Sequence, residues 1–166
     1  MSDLIVNDIV SLVQAGPIMD TELKAKFRNK LDELEEAMRE LPQVETSLRH
    51  FFGSGVYGRE IFMEKGSLIL GKIHKGKTIN FIMKGKVSVA SIDGIQHLEA
   101  PAVFVSSPGA KRLVFIHEDC TWATAHANPS DTTDLSELEE FVIAKNYGEV
   151  PGIDPEELKL IEGAKK

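Results

Sequence analysis

Residues 66–89, GSLILGKIHKGKTINFIMKGKVSV, carry the clearest structural signal in this chain. Short apolar runs are cut by Lys75-Gly76-Lys77 and Lys84-Gly85-Lys86. Inside the runs, Ile79-Asn80-Phe81 and Val87-Ser88-Val89 alternate with a period of two. That period belongs to a strand with one buried face, and glycine flanked by charge marks the break between strands.

Extending the pattern both ways predicts eight short strands, at 57–63, 67–73, 78–83, 86–92, 95–99, 102–107, 112–118 and 120–126. The breaks include Asp93-Gly94, Pro108-Gly109 and Glu118-Asp119. Asp93-Gly94 between alternating runs is a hairpin signal, because glycine tolerates the positive φ of a tight primed turn. Strands at this spacing suit a closed or double-sheet jelly-roll barrel, which leaves few open edges. The barrel occupies 51–130, and the glycine-rich FFGSGVYG at 51–58 reads as the hinge leading into it.

Residues 1–50 read as a helical arm. Leu4, Ile5, Ile9, Leu12 and Val13 fall at helical spacing, and Gly16-Pro17 stops the run. Asp20 or Thr21 caps a second helix, which carries Leu23, Phe27, Leu31, Leu34, Met38 and Leu41 as a narrow stripe among charged residues. Such a stripe wants another surface: the chain's own barrel, a second copy or a partner. Residues 131–166 form a C-terminal helical segment and tail. There Asp134 caps LSELEEFVIAKNYG with Glu137 as its reciprocal partner and Gly148 as the stop, and Asp154-Pro155 opens one more turn.

Composition narrows the partners. The net charge is −7, the pI is about 5.3, and the lysines are spread thinly around the expected turns. Nucleic acid, which draws on clustered basic charge, is not an expected partner. No apolar run approaches the roughly 20 residues of a membrane span, and no basic region precedes an apolar stretch at the N-terminus. A cytoplasmic protein without membrane insertion is the expectation. The one cysteine, Cys120, excludes an internal disulfide framework and a multi-thiolate zinc site, and it reads as a buried structural thiol.

The barrel segment resembles the cupin superfamily. The family's first motif runs glycine, five residues, His-x-His, three or four residues, Glu, six residues, glycine. Gly66, Lys72-x-His74, Thr78 and Gly85 keep every interval, with Lys72 and Thr78 in the seats of a histidine and the glutamate. In SSPGAKRLVFI, 106–116, Gly109 takes the turn glycine's place and Arg112 that of the last metal-binding histidine. Of four ligand seats only His74 keeps its type. Charged Lys and Arg offer no lone pair to a divalent ion, so no metal and no other cofactor is expected. The whole sequence is also similar to small cupin-like proteins encoded in tailed-phage and prophage genomes. That resemblance implies a host-cytoplasmic or virion-associated place, with a phage structural or host protein as partner.

The resemblance further points Lys72, His74, Thr78 and Arg112 into the barrel lumen. There they suit a small anionic ligand (a carboxylate, sugar phosphate or nucleotide), with Trp122 and His126 completing the site and Tyr57 as a wall. His97 and His117 read as isolated hydrogen-bonded side chains. No nucleophile elbow, phosphate loop or dinucleotide loop is found, so no catalytic residue is assigned. The first function these signals suggest is a non-catalytic, self-associating interaction protein, a homo-oligomer built through the Leu23–Leu41 stripe. A lumen-binding protein for a small anion is the alternative, and a metal-dependent enzyme comes third.

Overall fold

The computed structural model describes residues 2–14 and 19–165. The expected helix stop at Gly16-Pro17 and the side chains of Leu4 and Ile5 lie outside the described residues. Two helices, α1 (Ser2–Gln14) and α2 (Thr21–Arg39), come first. Strands follow as β1 (Ser47–Gly53), β2 (Val56–Met63), β3 (Leu68–Leu70), β4 (Ile73–His74), β5 (Thr78–Ser91), β6 (Gly94–Glu99), β7 (Ala102–Ser106) and β8 (Leu113–Ala127). The chain ends with α3 (Leu135–Val142), β9 (Ile143–Ala144), a single 3-10 turn at Tyr147–Glu149 and α4 (Pro155–Gly163). The fold class is the expected one: mainly antiparallel β, with helices at both ends.

Two long strands organise it. β5 and β8 each fuse two of the expected short strands, because Lys84-Gly85-Lys86 and Glu118-Asp119 lie inside strands and not between them. The β5–β8 pairing shifts register three times between Ile82 and Val87 and then resumes. Gly85 has φ +93°, and a Cβ there would lie 2.4 Å from the Asp119 carbonyl oxygen. Only glycine allows the two backbones to pass so closely. The bend divides the sheet into two walls. The first runs β1-β2-β8-β5-β7 through the late half of β8 and the early half of β5. The second runs β3-β8-β5-β6 through the other halves. Met63, Ile82, Val87, Val89, Val114, Ile116, Cys120 and Trp122 pack between the walls.

Two boundaries differ from expectation. FFGSGVYG is not a hinge: it closes the β1–β2 hairpin, with Gly53 paired to Val56 and Gly55 at φ +71°. The barrel therefore begins at Ser47, and a division between residues 50 and 51 cuts through β1. The C-terminal helix stops at Val142, not Gly148, because Ile143 and Ala144 leave to pair with His74 and Ile73. Its start is as expected, with Asp134 Oδ1 accepting from the Ser136 and Glu137 amides at 2.8 and 3.1 Å. Glu137 closes the cap through Thr132, whose hydroxyl donates to it at 2.7 Å and accepts from the Asp134 amide at 3.1 Å.

Of the three surfaces open to the apolar stripe of α2, the chain's own barrel takes it. Phe27, Leu31 and Leu34 are each 0% exposed, sealed against Ile9, Val13, Ala90 and Leu113 on the outer face of the second wall. Leu23 and Met38 pack on the same cluster, and Leu41 sits exposed beyond the end of the helix. The surface that a second copy would need is already covered by the chain itself. Arg28 on the same helix ties it to the C-terminus through a buried pair with Glu157, a 2.6 Å bond to the Gly109 carbonyl and a 4.4 Å approach to the Tyr147 ring. Among the described residues, no helix is long and apolar enough to cross a membrane.

Candidate functional site

Strand register builds a cavity of about 500 Å³ between the walls. On the first wall, successive rows read Phe52-Tyr57-His126, His50-Arg59-Thr124-Asn80, and Leu48-Ile61-Trp122-Ile82, with Met63 beside Cys120 last. Side chains two apart on a strand share a face, so these rows all look inward. His74 on β4, Lys72 between β3 and β4, and Arg112 just before β8 occupy the same end as Tyr57 and Arg59, and on the second wall Ile69 stands opposite Val114 beyond them. The helix α3 lies over the opening and contributes Leu138, Glu139 and Val142. It is pinned there by the residues flanking β4: Lys72 pairs with Glu139, the Lys75 ammonium donates to the Glu140 carbonyl at 2.6 Å, and the Lys75 amide to the Val142 carbonyl at 2.8 Å.

Of the residues singled out in the sequence, Lys72, His74, Arg112, Trp122 and His126 line this cavity. Thr78 does not. It is 2% exposed and stands behind the imidazoles, its hydroxyl 3.3 Å from Nδ1 of both His74 and His126. Those two rings lie 5.5 Å apart, and the Tyr57 ring stacks on His126 at 5.7 Å and on His50 at 6.0 Å from its other side. His97 and His117 do not join them. They meet on the outside of the barrel, where the Ser88 hydroxyl lies 2.7 and 2.6 Å from their ring nitrogens.

Arg59, His50, Thr124 and Asn80 are lining residues that the motif reading did not pick out. The usable signal was parity: Arg59 falls between Tyr57 and Ile61 on one strand, so it shares their inward face. Arg112 reaches the same level of the lumen. Its guanidinium lies 5.4 Å from the Phe104 ring, and Phe104 pairs with Asn80 in the Arg59 row. Unlike Arg28, Arg39 and Arg49, neither Arg59 nor Arg112 has a carboxylate within 4.0 Å among the described residues.

The imidazoles respond to this surrounding. Burial lowers His74 to about 4, with His126, Arg112 and Arg59 pushing the same way. Burial and the Arg59 charge lower His126 to about 4. Both are therefore neutral at pH 7. Burial also lowers Arg112, and it raises the Tyr57 phenol. The hydrogen bond and charge of Lys72 hold the Glu139 carboxyl below its usual range.

This donor set does not fit a divalent metal. Such an ion asks for three imidazoles, or two and a carboxylate, around one point. Here two neutral imidazoles share a threonine hydroxyl, and two guanidinium groups flank them. Among the described residues no group of three histidine, cysteine or acidic side chains converges.

No protein-family model matches the chain, and neither does any curated protein. Solved structures similar to it include a cupin superfamily protein from Desulfitobacterium hafniense (12% identity, TM-score 0.46, over 53% of this chain and 82% of that one). An acetylacetone dioxygenase from Acinetobacter johnsonii shares 20% identity at a TM-score of 0.44, over 52% of this chain and 66% of that one. Salicylate 1,2-dioxygenase from Pseudoaminobacter salicylatoxidans shares 13% at 0.48, over 73% of this chain and 36% of that one. At these levels the likeness carries no functional inference.

Proposed function

We propose that this chain is a binding protein whose barrel lumen captures a small organic anion. One observation carries the reading: Arg59 and Arg112 face a single cavity at the same level, and neither has a carboxylate within 4.0 Å among the described residues. The Glu139 and Asp93 charges act on Arg59 and Arg112 only from beyond contact distance, so neither half-buried cation has a carboxylate in direct contact, and such cations are costly to bury. An anion held at either guanidinium forms charge-assisted hydrogen bonds, the strong kind, and His74 and His126 offer further ring nitrogens nearby.

The test is thermal unfolding against a panel of organic anions. A ligand at a hundred times its dissociation constant adds about 2.7 kcal/mol, which for a chain of this size raises Tm by roughly 5–11 °C. Arg112→Ala keeps the fold and loses the shift. A well-folded protein that no anion stabilises leaves the reading without support.

Self-association remains a second reading, transferred from the α2 stripe to a different surface. Among the described residues, α1 and α2 pack on the outer face of the second wall. Across the first wall, Phe51, Gly58, Ala125, Ile79 and Val105 stand in one register row, all uncharged, with Val103 and Val105 65% and 63% exposed. Monomers rarely leave so continuous an apolar face open. Light scattering on the chain and on Val105→Glu tests it; equal monomeric masses at high concentration count against it. A role in a phage particle or against a host protein is a finer reading that rests on sequence resemblance alone.

A further inference from the structure

The lumen is graded from end to end. Tyr57, His126, His74 and the two guanidinium groups occupy one end, and beyond Arg59 the lining is mainly apolar, interrupted by the Thr46 hydroxyl, the Met63 sulfur and the Trp122 nitrogen. That nitrogen is spent, donating to Asn80 Oδ1 at 3.1 Å. Both walls are graded the same way: Ile61 and Met63 follow Arg59 on one, and Ile69 and Val114 follow Lys72 and Arg112 on the other. A sugar phosphate or nucleotide placed with its phosphate at the arginines would thrust several hydroxyls and ring nitrogens against these side chains, with the Thr46 hydroxyl their main polar partner. Each polar group buried without a partner weakens binding.

We infer that the ligand is an amphiphilic monocarboxylate, with its head held at the Arg59–Arg112 level and its hydrocarbon body lying along Ile61, Ile69, Val114 and Trp122 towards Met63. This rests on the anion-binding reading and specifies the ligand's other half. From Arg59 to Met63 is four strand residues, about 13 Å at 3.3 Å each. That length takes a ring or a medium acyl chain and leaves a long one protruding.

Trp122 is the only tryptophan in the chain and stands beside the path of that body, so its fluorescence reports occupancy. Acetate, butanoate, hexanoate and octanoate are titrated into the full chain at constant ionic strength, with octylammonium as the cationic control. Affinity rises about fourfold for each added methylene, the ratio set by burying one CH₂, and levels off once the apolar half is filled. Octylammonium binds far more weakly than octanoate, and Arg59→Ala abolishes the difference between them. Acetate and octanoate binding with equal affinity would overturn the amphiphile and leave an anion site standing. Octylammonium binding as well as octanoate, or no carboxylate binding at all, would overturn both.

Discussion

Acidification probes the lumen without altering a residue. His74 and His126 sit near 4 in the folded chain, against an ordinary 6.5 that they regain on unfolding. Between those two values the unfolded chain binds more protons than the folded one, so stability falls as pH drops through that window. For one imidazole with these two values, moving from pH 7 to 4.5 costs about 2 kcal/mol. The pair therefore costs about 4 kcal/mol, a Tm lower by roughly 8–16 °C in a chain of this length. Asp32, Glu35 and Glu139 are held low through contacts with lysines, although burial opposes this for Asp32 and Glu35. Depressed carboxylates lose their contribution as pH falls below their unfolded values, mostly under pH 4.5. Differential scanning calorimetry from pH 7 to 4.5, on the wild type and on the double variant His74→Gln/His126→Gln, separates the two sources. The variant should stay within about 4 °C across the window. Parallel curves for the two proteins would refute the assignment of buried neutral imidazoles.

Three further outcomes follow from the packing. Leu31→Ala should cost about 2–5 kcal/mol and leave the mass by light scattering unchanged, whereas a change in mass with little loss of stability would restore α2 as an interface. Gly85→Ala should destabilise by at least about 2 kcal/mol, from its positive φ and the crossing backbone, while Gly76→Ala, with open space around it, should leave Tm nearly unchanged; equal behaviour would show that the strands can part at the bulge. Cys120 is 0% exposed, and burial raises its thiol to about 11. It should resist a thiol reagent at pH 8 until the chain is denatured, and rapid labelling of native protein would move it out of the core.

Much of the fold is legible in the sequence because period-two alternation directly reflects one-sided burial, as at Ile79–Phe81 and Val87–Val89. The errors have a common physical origin. A glycine between charges marks both a turn and a bulge, and only long-range hydrogen bonding tells them apart; Gly85 and Glu118-Asp119 are bulges because β5 and β8 resume pairing beyond them. β1 carries no strand signal in the sequence because six of its seven residues are exposed and show no alternation of burial. α3 ends early for a tertiary reason, the pairing of Ile143 and Ala144 with β4, which no local capping signal at Gly148 reveals. At the site, motif spacing located Lys72, His74 and Arg112 on one end of the barrel. Arg59 lies outside the motif and needed strand parity. Thr78 fell in a motif seat, but its hydroxyl proved to be engaged with the two imidazoles.

The central claim is that the lumen takes an anion at Arg59 and Arg112, and a crystal structure grown with 6-bromohexanoate tests it most directly. The carboxylate should lie at about 2.7–3.0 Å from one or both guanidinium groups, and the anomalous signal of bromine should fall among Ile61, Val114 and Met63. Bromine found only outside the barrel, or a metal ion held between His74 and His126, would contradict it.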